Sequence, residues 1–475
     1  MSISLIFIPI LLIILLNIPK LSGKVAYWTA LAFFAYQLVS VFCPFLLGSA
    51  QFAKFLTNFF PINSSDIFAD GISKIMLSSA AIVAFVSLIT SKVFAQSDRK
   101  LFLVSNLMLL AVAGINGLVF ARDIFTLYVF IEIIAVASYI MIALDKTKGA
   151  LEGGFKYLII SSIATVMMLF SVALFFLVAG ATGFTEISAA IKDYGSNPII
   201  ILAVLLFVIA TFIKGGLIPF HGWLSGAYSQ APAGVSVFLG GIVTKTTGIF
   251  TLIRLLYSVT GWTHEIKAIL LVIGAVTLIA GALVAIVQKD FKKVLAFSSI
   301  SQMGYIVLAL GAGTSLGVAA ALFHLFNHAI FKSTLFVNSA AVEKETGRLD
   351  LDTFGGLGYK MPITSFTSSV SFLSASGIPP FAGFWSKLLI IIALWTASYH
   401  GFAIVAILAS LLTMGYFLTL TKKVFFGELN NNLKDVKEAP KPLTACAVAL
   451  TAITIAVGIL FPLVLKNFIL TAAGI

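Results

Sequence analysis

Glu132, Lys214, Lys245, His324, His328, Lys332 and Lys387 are titratable side chains that fall inside long apolar runs of this sequence. A charged group at the centre of a bilayer costs about 2.5–3.5 kcal/mol on insertion scales, so such residues usually face a bundle interior and mark ion pathways. A lysine near a membrane boundary can instead snorkel to the surface. Lys332 and Lys387 admit that reading, whereas Glu132 and Lys245 sit too centrally for it. His324, His328 and Lys332 are spaced i, i+4 and i+8, which on a helix sets three titratable groups on one face over ~12 Å of rise. Histidine titrates near neutral pH and suits proton relay. Two histidines at i, i+4 can also bind zinc, but no acidic or cysteine ligand stands nearby and the glutamate of a His-Glu-x-x-His motif is missing. A hydrogen-bonded pair of core histidines is the plainer alternative. Ser298, Ser299, Ser301 and Gln302 offer neutral relay partners, or simply helix–helix hydrogen bonds. Glu132 and Lys214 are the expected switch. Close together in low dielectric they hold each other charged, and separating them leaves Lys214 uncompensated and ready to release its proton.

The elements that carry these residues follow from composition. The 475 residues are 60% hydrophobic and 10% charged, with a mean hydropathy of +1.10. Soluble domains carry about 25% charged residues, so an ordinary water-soluble fold is excluded. Crossing ~30 Å of hydrocarbon takes about 20 apolar residues. Such runs recur near 3–18, 26–48, 73–93, 101–120, 124–143, 157–180, 199–219, 233–257, 267–288, 294–312, 317–341, 362–396, 400–421 and 443–465. Helices are the reasonable spanning element, because a barrel would show ~10-residue alternating segments. The expected fold is therefore an all-α integral membrane protein of about fourteen transmembrane helices. The run from Ile3 to Ile18 lacks a basic leader region and is followed by Pro19 and Lys20, and it reads as a retained helix. Cys43 and Cys446 lie far apart and suggest neither a disulfide nor a metal site. A net charge of +12 reflects basic loops in so apolar a chain; no nucleic-acid partner is expected.

Counting Lys and Arg in the connections gives 19 after odd-numbered spans and 6 after even-numbered ones, Lys20 belonging to the first group and Lys54 to the second. The basic side faces the cytoplasm, which places both termini on the outer face of a cell (inner) membrane. The connection from His221 to Gln230 has no Lys or Arg. Gly216-Leu-Ile-Pro219-Phe-His-Gly222-Trp223 is echoed by Gly377-Ile-Pro-Pro380-Phe-Ala-Gly383-Phe384 at an offset of 161 residues. Ser138–Leu144 is echoed by Gly304–Leu310 at 166, and Gly248-Ile-Phe250 by Gly415-Tyr-Phe417 at 167. Five helices, an odd number, separate the copies, so the copies are inverted. Pro219 and Pro380 each remove a helix hydrogen bond beside a permissive glycine. Inverted repeats with broken helices are a transporter signature. The expected units are helices 1–3 (residues 1–100), a first five-helix repeat (101–258), a second (259–425), and a cytoplasmic loop with the last helix (426–475).

These segments together resemble the antiporter-like membrane subunits shared by respiratory complex I, Mrp-type Na⁺/H⁺ antiporters and energy-converting membrane-bound hydrogenases. The resemblance rests on Phe130-Ile-Glu132-Ile, on Lys214 with Pro219-Phe-His-Gly-Trp-Leu224, and on Ala231-Pro232 with Ser236. Thr244-Lys245 with Arg254-Leu, the stretch from Gln288 to Tyr305, His324-Leu-Phe-Asn-His328 through Lys332, and Gly377-Ile-Pro-Pro-Phe-Ala-Gly-Phe-Trp-Ser-Lys387 complete it. It is strong over about residues 100–390. It implies that Glu132, Lys214, Lys245 and Lys387 are the essential ionisable positions, with His324, His328 and Lys332 on the central polar axis, and that the fold holds two inverted five-helix units. Ile131 departs from the Trp of many relatives, and Lys387 from the Glu of one complex I subunit type. After the fourteenth span this sequence carries no long lateral helix of the kind found in the distal complex I subunit. The Pro-Pro-Phe-Ala-Gly-Phe-Trp-Ser-Lys stretch is nearest to the hydrogenase and D-type Mrp relatives.

The function expected is proton, or sodium/proton, translocation by one subunit of a larger membrane complex, with the other subunits and the lipid bilayer as partners. No redox chemistry of its own is expected: no cysteine cluster, haem attachment motif or phosphate loop is present, so no cofactor is assigned. A stand-alone secondary transporter would need a midplane recognition site rather than a titratable line. A structural scaffold subunit would tolerate replacement of the buried charges.

Overall fold

The computed structural model describes residues 2–18, 21–42, 70–195 and 197–470. Cys43, Lys20, Lys54 and the end of the expected second span lie outside the described residues. Long apolar runs close their backbone hydrogen bonds internally and become helices, which account for 85% of the structure; the described residues contain no strands. In chain order the helices are α1 (Ser2–Asn17), α2 (Gly23–Phe42), α3 (Gly71–Phe94), α4 (Asp98–Phe120), α5 (Ile124–Ile142) and α6 (Lys148–Ala179). Next come α7 (Phe184–Tyr194), α8 (Pro198–Gly215), α9 (Leu224–Gln230), α10 (Ala233–Thr260), α11 (His264–Ile286) and α12 (Phe291–Gly311). The last are α13 (Ser315–Thr346), α14 (Pro362–Ser376), α15 (Ala382–Thr396), α16 (His400–Val424), α17 (Lys441–Ile459) and α18 (Phe461–Leu470). Ten described helical segments are long and apolar enough to cross a bilayer. α13 is also long enough, but His324, Asn327, His328, Lys332 and Asn338 make it polar along one face.

Polar and apolar surfaces are arranged as lipid requires. Phe155, Val166 and Leu177 on α6 and Leu408 and Leu411 on α16 point outward, while the polar residues of α10, α12 and α13 are buried. Termini are fixed by local chemistry. Asp123 accepts the Thr126 amide at 2.7 Å and Asp290 the Lys293 amide at 2.8 Å, capping α5 and α12. Each capping aspartate also opens an isolated antiparallel bridge, Asp123 with Gly183 and Asp290 with Asp350.

Two expectations about boundaries change. The span expected over 199–219 ends as a helix at Gly215, and the stretch from His221 to Gln230, expected as a connection, is a 3₁₀ turn (Phe220–Trp223) followed by α9. Likewise 362–396 is two helices, α14 and α15. Hydropathy joins or truncates such segments because it does not register chain direction. Gly216 (φ 67°) and Gly377 (φ 84°) end α8 and α14 in the left-handed region, where glycine carries no Cβ penalty. In both, the amide after the glycine reaches back to close the helix: Leu217 to Phe212 O and Ile378 to Leu373 O, each at 3.0 Å.

Candidate functional site

The break at Gly216 ends α8 and leaves Lys214 buried in its last turn. Lys214 is fully enclosed, and its Nζ donates to Glu132 Oε1 on α5 at 2.9 Å, to Ser161 Oγ at 2.7 Å and to Thr165 Oγ1 at 3.1 Å on α6. Thr165 in turn donates to the same carboxylate oxygen. All three ammonium protons are thus used, two of them on hydroxyls one helical turn apart on α6. Glu132 differs from the expectation of a buried residue: its side chain is 32% exposed on the flank of the bundle, against 0% for Lys214. The break is held by the protein itself. Trp223 Nε1 donates to the Ile213 carbonyl at 3.1 Å, and the Ile218 amide to Thr277 Oγ1 at 3.2 Å.

Behind this pair, α10 alternates between α and π geometry, with π stretches at Leu239–Val243, Lys245–Phe250 and Leu256–Thr260. A π turn frees carbonyls from the regular ladder. The Lys245 ammonium takes up one of them, donating to Gly240 O within its own helix. One residue earlier, Thr244 Oγ1 lies 2.7 Å from Tyr228 OH on α9. The neighbour Ser229 borders a polar cavity of about 410 Å³ that opens beside Lys100, Asp145, Asp290, Lys292 and Glu343.

α13 brings a second group together. His324 and His328 stack with ring centroids 6.2 Å apart. His324 Nδ1 meets Ser386 Oγ at 2.9 Å and its Nε2 meets Gln302 Oε1 at 3.1 Å. Lys332 Nζ donates to Ser298 Oγ and, at 3.1 Å, to Leu295 O. Neither ring nitrogen of His328 has a protein hydrogen-bond partner, nor does Lys387 Nζ, which lies 4.4 Å from the Tyr305 ring centroid. A buried polar atom left unpaired costs about 1–3 kcal/mol, so these atoms call for water, which bonds to otherwise unsatisfied groups in protein interiors. His328 is within electrostatic reach of Lys245, Lys332, His324 and Lys387. Lys332 and Lys387 are buried (0% and 3% exposed), which removes the snorkelling alternative.

The sequence of residues 121–413 matches the membrane family described as NADH:quinone oxidoreductase/Mrp antiporter. The chain belongs to this family. It is an antiporter-like membrane subunit. It is 32% identical over 340 residues to the D-type subunit of the Na⁺/H⁺ antiporter of Alkalihalophilus pseudofirmus, spanning 71% of this chain and 68% of that one. It is 35% identical over 306 residues to the N-type subunit of the NADH-quinone oxidoreductase of Desulforudis audaxviator, spanning 64% and 61%. Its fold matches a chain of the Mrp complex from Dietzia sp. with a TM-score of 0.89 and 23% identity, over 100% of this chain and 96% of that one.

Within this antiporter-like protein the charged residues fall into two groups, Glu132 with Lys214, and Lys245, His324, His328, Lys332 and Lys387 around His328. The neutral relay candidates separate by role. Ser298 and Gln302 touch Lys332 and His324, whereas Ser301 donates to Leu278 O and Ser299 to Leu295 O, which are packing bonds. Ser161 and Thr165 were not among the residues expected from sequence; their only signal there is two hydroxyls at i, i+4 in an otherwise apolar run. Nor was Asp70, whose carboxylate takes Arg254 Nη1 at 2.6 Å and Nη2 at 3.2 Å and lies 3.4 Å from Arg122. Arg254 is fully buried and also donates to Ser73 Oγ at 3.0 Å.

Proposed function

We propose that this chain carries protons through a larger membrane complex along an axis running from Glu132–Lys214, through Lys245 and the His324–His328–Lys332 face, to Lys387. The observation that carries the reading is the composition and connectivity of that axis: of its four buried lysines and two stacked histidines, Lys214 alone is bound to the axis carboxylate, Glu132. So many cations in low dielectric repel one another, and protonating one drives a proton from the next. Opening the Glu132–Lys214 contact removes the counter-charge of Lys214 and starts that transfer. Sodium requires several oxygen ligands, as hard cations do, and a lysine-lined axis repels it; protons are the cargo we assign. In the relatives, names and complexes point to both Na⁺/H⁺ antiport and quinone-linked oxidoreductases, and this chain takes the ion-translocating place in an assembly of that type.

The finer architecture we assign is fourteen membrane-spanning helices in the cell (inner) membrane, with both termini outside. α8 with α9, and α14 with α15, each count as one broken span. Residues 101–258 and 259–425 form two inverted units, flanked by 1–100 and 426–475. Support comes from matched features 167 residues apart: the bridges Asp123–Gly183 and Asp290–Asp350, and the 32-residue helices α6 and α13, each ended by a left-handed glycine, Gly180 or Gly347.

The test is Lys214→Ala in the assembled complex, reconstituted in vesicles with a pH-sensitive dye inside. Loss of driven proton uptake with the complex intact is expected. Undiminished pumping would remove the axis as the route and favour a scaffold role.

A further inference from the structure

Hydroxyl and amide side chains line the contact between α13 and the first half of the second broken helix, α14, away from the titratable axis. On α14, Thr364, Thr367, Ser368 and Ser371 are spaced i, i+3, i+4 and i+7, which puts them on one face, and all four are at most 1% exposed. The face turns toward α13: Thr367 Oγ1 lies 3.0 Å from Asn338 Nδ2 and 3.2 Å from Asn338 Oδ1. Toward the start of α14, Glu438 accepts the Ile363 amide at 2.7 Å and the Thr364 hydroxyl at 2.7 Å. It is half-buried and sits among the basic residues of the 426–440 loop. Toward the centre, Phe372 packs on Phe417 at 4.7 Å, and the Lys332 ammonium lies 5.4 Å from that same ring. The turn holding Ser371 is therefore level with Lys332.

Membrane helices use hydroxyls as interhelical glue, and Asn338–Thr367 is glue of that kind. Ser368 Oγ and Ser371 Oγ are different. Each is fully buried between helices, and neither has a protein partner. Two such groups on one face of α14, between a loop carboxylate and a buried ammonium, are the lining of a wet file.

We infer that α13 and α14 enclose a water-filled proton file that runs from Glu438, past Asn338, Ser368 and Ser371, to Lys332. It gives the second half of the axis its own access from the side carrying the 426–440 loop, separate from the cavity beside Lys292 and Glu343. Hydroxyls and water each donate and accept, so a proton enters at one end and another leaves at the other without any side chain changing net charge. The inference builds on the proposed axis, since Lys332 is its destination.

The experiment reads access instead of pumping, so the two readings can fail separately. Ser371→Cys is made in a Cys43→Ala, Cys446→Ala background of the assembled complex, in membrane vesicles that expose the 426–440 loop. Ag⁺, a thiol probe of ionic size, is added, and surviving thiol is titrated after unfolding. Ser371→Cys is expected to react at least about tenfold faster than Ala340→Cys, a buried position on the far face of α13; that corresponds to about 1.4 kcal/mol of easier access. Adding Asn338→Leu, which plugs the file, is expected to abolish the difference. If Ser371→Cys reacts no faster than Ala340→Cys, or if Asn338→Leu leaves its rate unchanged, the file is wrong whatever Lys214→Ala does to pumping.

Discussion

Lys214 and Glu132 share a hydrogen bond but not an environment. Lys214 is sealed among α5, α6 and α8, and Glu132 keeps about a third of its side chain at the flank. Removing one partner of a buried pair costs about 3–5 kcal/mol when the remaining charge has nowhere to go. That applies in full to an orphaned Lys214 and only in part to an orphaned Glu132. Glu132→Gln is therefore expected to lower the thermal midpoint of the purified complex more than Lys214→Met, although both stop translocation. Equal shifts, or the reverse order, would contradict this account of the pair. The repeat offset adds a second point about residues. Under the proposed repeat, position 132 corresponds to Ser299, and 161 and 165 to His328 and Lys332, so the second unit would carry titratable groups where the first has hydroxyls, and a serine where the first has its carboxylate. A proton held on Lys332 is met only by Ser298 and the Leu295 carbonyl, which suits a station that gives its proton up.

At the scale of helices, the position of Lys214 depends on how closely α8 can lie against α10. A Cβ built on Gly248 would fall 2.3 Å from Gly215 Cα and 2.4 Å from Gly215 N, so backbone must move to admit it. Gly248→Ala changes no titratable group, yet it pushes the end of α8 away from α10 and shifts Lys214 relative to Glu132. Overpacking of this kind costs typically 1–3 kcal/mol. A clear loss of pumping rate is expected, with normal assembly judged by co-purification; an unaffected rate would show that the α8 end tolerates displacement. Much of this level is legible in the sequence. Gly216, Pro219, Gly377 and Pro380 announce the broken helices, and the i, i+4, i+8 spacing announces the face of α13. The π stretches of α10 are not legible, because no residue pattern distinguishes a π turn from an α turn inside an apolar run. The identity of the hydroxyls that answer Lys214 is also hidden: Ser161 and Thr165 meet Lys214 and Glu132 only through packing of three helices distant in sequence. α9 reads as a connection because its Ser, Gly and Gln residues lower its hydropathy, although burial against α6 and α12 makes it a helix.

At the scale of the molecule, Asp70, Arg254, Arg122 and Ser73 tie the start of α3 to the far end of α10 and to the α4–α5 connection. Burial alone would raise the Asp70 carboxyl, but the hydrogen bonds and charge of Arg254 outweigh it and hold the group well below the usual carboxylate range. A carboxyl whose folded value is depressed stabilises the fold above the ordinary aspartate range, near 4, and that contribution is lost as pH falls from there. Asp70→Asn leaves the fully buried Arg254 without a counter-charge and is expected to cost about 3 kcal/mol near neutral pH, at the lower end for a buried pair because Asp70 is partly exposed. Thermal unfolding of the complex at pH 7 and pH 3 checks both claims: the gap between wild type and Asp70→Asn narrows at the lower pH. A gap that is constant with pH would show that the carboxylate charge is not what holds these helices.

One wall of the Glu132 site belongs to whatever adjoins the flank of the bundle. The local permittivity at the carboxylate, and with it the strength of its hold on Lys214, is set jointly by this chain and by the lipid or protein that covers the flank. A change in what covers that flank can therefore retune the switch without altering a single residue here.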